Sequence, residues 1–313
     1  MSIRFKALVA MALVSALWGT TFVVVQRALQ DSSVMVYQAL RFGLAAAVMA
    51  AAFFPRLRAM SLPALRSGAV IGFLLFLGYV LQNNGLRLTT ATKSAFITGS
   101  AVVIVPLLQG LSGRGKPNRW IWAGTAAALG GLYYLIVPAG KGLGGLAEWN
   151  QGDLLTLAAA TVFATHILVV SRATLQHPVT ALSTVQFAVA AILSALAIPM
   201  GASLGWELPF LRASGHLIFA VLLTGIAGTA VAFSVQVWSQ RHLTPALIGI
   251  LLTLEPVFAG LTAFLVTGER LGARALAGAA LILVGILLAE LKGSAPAAIE
   301  SDIPAVRSGA ENE

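Results

Sequence analysis

One acidic residue stands in the middle of a long apolar run. Glu255 lies ten residues into the stretch 245–267 and is followed by Pro256. If that stretch crosses hydrocarbon, a charge so deep costs at least about 2.5–3.5 kcal/mol and needs a reason. The proline cannot donate a backbone N–H, so it loosens a helix one turn earlier, near Leu252. A carboxylate beside freed carbonyls can take a cation, an amine or a proton. It can equally serve as one arm of a structural salt bridge, or sit neutral and hydrogen-bonded. Arg41 is its basic counterpart, about two helical turns into the apolar stretch 35–54. It is expected to be a structural charge, either snorkelling to the outer surface or pairing with a carboxylate. Lys93 reads as interfacial.

The uncharged polar residues fall into faces. Tyr79, Gln82 and Asn83 are spaced i, i+3, i+4, as are Phe233 and Gln236, with Gln240 one turn on and Trp238 nearby. Trp18 with Thr21, and Phe163 with His166, pair an aromatic ring with a polar group three positions on. Amides inside a membrane either glue helices together or line a cavity. No phosphate loop GxxxxGK[ST], HExxH, GxSxG or pair of aspartates suited to a magnesium–diphosphate site occurs. The four histidines are scattered, and the absence of cysteine rules out disulfides and thiolate chemistry. No catalytic residue, metal or cofactor is expected.

Long apolar elements must carry these residues. The chain of 313 residues is 58% hydrophobic and 10% charged, with mean hydropathy +0.89. Soluble domains carry about 25% charged residues. Spans of about 20 residues fit at 7–27, 35–54, 66–87, 92–112, 119–138, 153–172, 180–200, 213–238, 245–267 and 271–291. Ten spans use most of the length and leave no room for a soluble domain of about 100 residues. The first run is longer than a signal-peptide core and reads as a retained span. The net charge of +9 sits in short connections, so it sets topology rather than binding nucleic acid. With a cytoplasmic N-terminus, twelve basic residues fall inside and seven outside. Both termini are therefore expected in the cytoplasm.

The chain repeats itself. Residues 17–27 align with 162–172, which makes Trp18 equivalent to Phe163 and Thr21 to His166. Arg41-Phe42 aligns with Gln186-Phe187, Gln82 with Gln236, Arg87 with Arg241, and Val105-Pro106 with Glu255-Pro256. Five spans per copy is odd, so the second copy enters the membrane from the opposite side. The glycine-rich stretch 139–151 is the natural boundary. The expected units are 1–143, 150–292 and a disordered cytoplasmic tail, 293–313. Gly68 with Gly72, Gly124 with Gly130-Gly131, and Gly278 with Gly285 are small-residue spacings suited to close packing inside the bundle.

Several of these pieces also resemble a known family. They are Trp18-Gly19, Leu40-Arg41-Phe42, the stretch 85–99, Leu254-Glu255-Pro256-Val257-Phe258 and Thr267-Gly268-Glu269-Arg270. Their order and spacing resemble the EamA family of the drug/metabolite transporter superfamily over residues 7–291. The resemblance implies an all-α integral membrane protein of ten helices in two inverted five-helix repeats. It also implies export of small metabolites, amino acids or drugs across the plasma (inner) membrane. Combined with the polar faces, it gives a cavity lined by Trp18, Tyr79, Gln82, Asn83, Thr98, Phe163, His166, Gln236, Trp238 and Glu255. Glu255 is the candidate coupling site, with the proton as candidate ion. The expected partners are a small-molecule solute and the lipid bilayer, with the chain a monomer or a homodimer. An uncoupled facilitator or channel, or an intramembrane enzyme acting on lipid, are the alternative classes.

Overall fold

The computed structural model describes residues 2–57, 60–89, 91–112, 117–136, 150–267 and 272–292, except for the side chains of 57, 91–93, 135, 136, 260 and 263–267. The Lys93 side chain, most of the boundary stretch and the tail 293–313 lie outside the described residues. Apart from one isolated antiparallel bridge between Ser32 and Leu211, every regular element among those residues is helical.

The first half comprises α1 (Ile3–Asp31), α2 (Val34–Leu57), α3 (Leu62–Leu88), α4 (Ala91–Gly99), α5 (Ala101–Leu111) and α6 (Arg119–Ile136). The second comprises α7 (Gln151–Ala173), α8 (Val179–Ser203), α9 (Gly215–Leu222), a π-helical stretch Leu223–Val231, α10 (Ala232–Ser239), α11 (Pro245–Leu251), α12 (Leu254–Thr267) and α13 (Ala273–Leu291). Among the described residues eight helices are long and apolar enough to cross a membrane, with the α4–α5 and α9–α10 pairs each counted as one. The 18-residue α6 and a shorter apolar helix beginning at Pro245 complete the ten passes. Three spans are interrupted, one of them where Pro256 leads one to expect it. Span four breaks at Ser100, span nine at Leu252–Thr253, and span eight loosens into its π-helical middle.

The packing has the symmetry of two inverted copies. The α2 helix lies on α8, its own equivalent, and α6 lies on α13 in the same way. The α3 helix packs on α7, and its counterpart α9–α10 packs on α1; α1 packs on α12 as α7 packs on α4 and α5. Glycine makes these crossings possible. A Cβ on Gly72 would stand 2.7 Å from the Gln186 carbonyl oxygen. One on Gly124 or Gly131 would stand 2.6 Å from the carbonyl of Gly285 or Gly278. Lipid gives apolar helices no drive to associate, so backbone approach of this kind supplies the attraction. The small-residue pairs read from the sequence are thus consumed between the two halves.

Helix ends need partners for their unpaired N–H groups. Ser2, Ser61, Ser214 and Thr244 cap α1, α3, α9 and α11, and Asn150 with Asp153 forms a reciprocal box on α7. The start of α2 is held from the other half. The Val34 and Met35 N–H groups donate to the Glu207 carboxylate at 2.8 and 3.1 Å, and Arg87 pairs with the same carboxylate at 2.9 Å. Ser33 N–H donates to the Phe210 carbonyl, and Arg212 N–H to that of Asp31. The connection 204–214, an unremarked loop in sequence, therefore ties the α1–α2 turn to the second half. At the opposite end Arg4 forks onto Glu290 at 2.8 and 2.9 Å.

Gly131→Val should lower the melting temperature, because overpacking of this kind costs about 1–3 kcal/mol. Gly43→Ala, whose Cβ meets nothing within 4 Å, should melt at or slightly above the parent. Equal melting of Gly131→Val and the parent would contradict the α6–α13 backbone contact.

Candidate functional site

A cavity of about 80 Å³ lies where the two halves cross. Its wall draws on both: Trp18, Thr21, Phe22 and Val25 of α1, Arg41 of α2, Tyr79, Gln82, Asn83 and Leu86 of α3, and Thr98 of α4. From the second half come Phe163, His166 and Ile167 of α7, Phe233 and Gln236 of α10, Leu252 at the break, and Glu255 of α12. It runs from the middle of the bundle toward the end that carries Asp31 and Leu88. At the other end Met11, Val14, Leu247 and Leu251 form part of a buried apolar core.

Five aromatic side chains, Trp18, Phe22, Tyr79, Phe163 and Phe233, stand in the wall. Trp18 packs against Phe233 at 4.7 Å between centroids, and Tyr79 meets Phe163 edge-on at 5.3 Å. Gly78 makes room for the second contact, since a Cβ there would come within 2.5 Å of the Phe163 ring. The Trp18 indole N–H donates to the Gly228 carbonyl at 2.8 Å, a group presented by the π-helical stretch. Widened turns of this type leave carbonyls and hydroxyls free to face a neighbour. Thr229 Oγ1 in the same stretch donates to the Thr224 carbonyl and accepts from Arg41 Nε at 2.7 Å.

Polar groups in the wall are only partly matched. Gln82 Nε2 donates to Thr98 Oγ1 at 3.2 Å. His166 Nε2 meets Gln186 Oε1 at 3.1 Å. Gln236 Oε1 and Asn83 Nδ2 are buried with no hydrogen-bond partner among the described residues. Glu255 is 8% exposed, and among the described residues its side chain makes no hydrogen bond or ion pair. It is positioned by a backbone crossing: a Cβ on Gly19 would collide with the Glu255 carbonyl oxygen. The helix does break one turn before Pro256, and the Leu252 carbonyl that the proline leaves free accepts from Glu255 N–H at 3.0 Å.

Nine of the ten residues expected in the cavity lie in its wall. Trp238 does not. Two positions beyond Gln236 is about 200° around a helix, so its ring points away and stacks edge-on to His242 at 5.3 Å. Burial and the adjacent Arg241 lower the pKa of that imidazole, which lies beyond the end of α10. Gln240, a turn below Gln236, is helix glue: its Nε2 donates to the Ile167 carbonyl at 2.8 Å and to Ser171 Oγ at 3.0 Å. Arg41 differs most from expectation. It is 3% exposed, so it does not snorkel, and it pairs with no carboxylate among the described residues. It lines the cavity instead. The π-helical turn that holds it was not read from the sequence, although Thr224, Gly225, Gly228 and Thr229 marked span eight as rich in small and hydroxyl residues.

Ten membrane passes in two inverted halves, around a largely apolar cavity that carries a few polar groups, define a multi-pass membrane transporter. The model of the EamA-like transporter family matches residues 5–137 and again 150–291, once per half, and the chain belongs to that family. An uncharacterized transporter of Archaeoglobus fulgidus is 30% identical over 290 residues, covering 92% of this chain and 87% of the relative. A protein of known crystal structure superposes with TM-score 0.74 at 20% identity, over 93% of this chain and 98% of the other. That last likeness shows the fold.

The chain contains no cysteine, so a single introduced thiol reports its own surroundings. In detergent, Thr98→Cys and Gln236→Cys should react readily with a small methanethiosulfonate reagent. Gln38→Cys, at a position that is 0% exposed and outside the cavity wall, should react about tenfold more slowly or not at all. Reaction at Thr98→Cys and Gln236→Cys as slow as at Gln38→Cys would mean the cavity is closed to solutes.

Proposed function

We propose that this protein exports a small polar or amphipathic solute by alternating access. The membrane is the plasma membrane, with both termini in the cytoplasm. The observation that carries the reading is the position of the cavity: it lies at the crossing of the inverted halves and touches two of the interruptions in the helices. Gly99 and Ala101 flank the break in span four, and Leu252 begins the break in span nine; all three are in the wall. Broken helices at a repeat interface near mid-bundle are where secondary carriers bind their solutes. The excess of basic residues in the connections on the N-terminal side supports the orientation. The aromatic wall suits an apolar body, and the unmatched amides of Gln236 and Asn83 suit a polar group on it.

In this reading Glu255 couples transport to protons. A carboxyl group that faces a cavity without a partner can take and release a proton as the cavity changes its access. One proton per solute sustains about tenfold accumulation per pH unit. Proteoliposomes carrying the protein, a pH gradient and a panel of labelled amino acids and small metabolites provide the test. Gradient-driven accumulation is expected for at least one solute. Glu255→Gln should lose its dependence on the pH gradient while still exchanging solute for solute. Undiminished proton-driven transport in that variant would rule out the coupling role, and no movement of any solute would overturn the export reading.

A further inference from the structure

We propose that Arg41 is the anion-recognition residue of the cavity, and that the transported solute carries a carboxylate on an apolar body. This rests on the cavity being the solute site proposed above. It adds a substrate class and a residue that reads it.

The argument begins with a count of donors. A guanidinium has five N–H groups in a planar fork and keeps its charge under all ordinary conditions. Among the described residues two are used: Nε on Thr229 Oγ1 at 2.7 Å, and Nη2 on Tyr79 Oη at 3.0 Å. Both acceptors are neutral. Its Cζ lies over the Tyr79 ring, 4.3 Å from the centroid, and 5.6 Å from that of Phe42. These contacts fix the group's orientation and stabilise the cation, but they bring no counter-charge. The remaining N–H groups, including the whole of Nη1, find no described partner, and the side chain forms part of the cavity wall. A cation removed from water and left without an anion is a costly arrangement. An anion arriving through the cavity completes it.

The surroundings narrow the anion. The free edge of the guanidinium matches two coplanar oxygens, the geometry of a carboxylate. A phosphate dianion would bring two negative charges to a cavity with one guanidinium and the Glu255 carboxyl group in its wall. Trp18, Phe163, Phe233 and Ile167 offer an apolar surface to the rest of the solute. In the repeat-equivalent position to Arg41 stands Gln186, which engages His166 and leaves its own Nε2 unpartnered. The recognition is thus confined to one half of an otherwise symmetric site.

The test is equilibrium binding to the full-length protein in nanodiscs, followed by Trp fluorescence and thermal shift. The probes are phenylacetate and its neutral isostere phenylacetamide. The wild type should prefer phenylacetate by about tenfold or more, the scale of a bidentate charge-assisted pair over a neutral contact. Arg41→Gln should bind the two probes equally. Arg41→Lys, which keeps the charge without the fork, should retain only part of the preference. Arg41 also braces Thr229 and Tyr79, so Arg41→Gln is informative only when it elutes as a folded species. The wild-type comparison needs no variant, and equal affinity for the two probes overturns the proposal. So does an undiminished preference in folded Arg41→Gln. Transport of neutral panel solutes without binding of either probe would overturn the anion assignment and leave the export reading standing.

Discussion

Hydrocarbon supplies no hydrogen-bond partner, and it gives one apolar helix no reason to leave lipid for another. Most features of this molecule answer that constraint. Where helices must touch, glycine lets backbones meet, as Gly72 does against Gln186 and Gly124 against Gly285. Where helices begin, a hydroxyl or an amide covers the loose N–H groups, and at α2 a carboxylate from the far half does so. Helices are interrupted where the cavity needs carbonyls and hydroxyls, and the exposed groups are taken up by neighbours. Thr125 Oγ1, for example, donates at 3.4 Å to the Val102 carbonyl that Pro106 leaves free. The places where satisfaction is incomplete are correspondingly informative. Some, such as Gln38, lie away from the cavity, but Arg41, Glu255, Gln236 and Asn83 share its wall.

The repeat and the apolar spans were legible because both are patterns of residue type along the chain. Trp18 predicted the place of Phe163, and Gln82 that of Gln236, because an inverted copy carries equivalent positions to one shared centre. The interruption before Glu255 was legible as well, since proline acts locally. The π-helical turn was not. Its Gly228 carbonyl and Thr229 hydroxyl engage Trp18 and Arg41, tertiary contacts that propensity does not encode. For the same reason Arg41 read as structural: its sequence neighbours say how deep it lies, but only the packing of α2 against span eight turns it toward the cavity. Trp238 shows the opposite failure. Its type suited the wall, and helical phase placed it elsewhere.

The halves are equivalent in architecture and unequal in chemistry. Where the first half has Arg41 the second has Gln186, and where the second has Glu255 the first has Val105. Under the alternating access proposed above, exchanging the conformations of the two halves would move an access path from one face to the other, while the charged groups keep their identity. The scaffold can therefore be symmetric in motion and directional in recognition. Aromatic rings from both halves form the common floor on which the unequal charges act.

The glycine seams also bear on the order of synthesis. The α6 helix finds its main partner in α13, made more than a hundred residues later, and α2 waits for Glu207 before the Val34 and Met35 amides are covered. A half-made chain therefore stands in the bilayer with its small-residue faces toward lipid and one helix start uncovered. The connection 204–214, arriving after α8, is the first piece that can cover that start. Its polar contacts with the α1–α2 turn would then register the two copies before the final pair of helices closes the bundle.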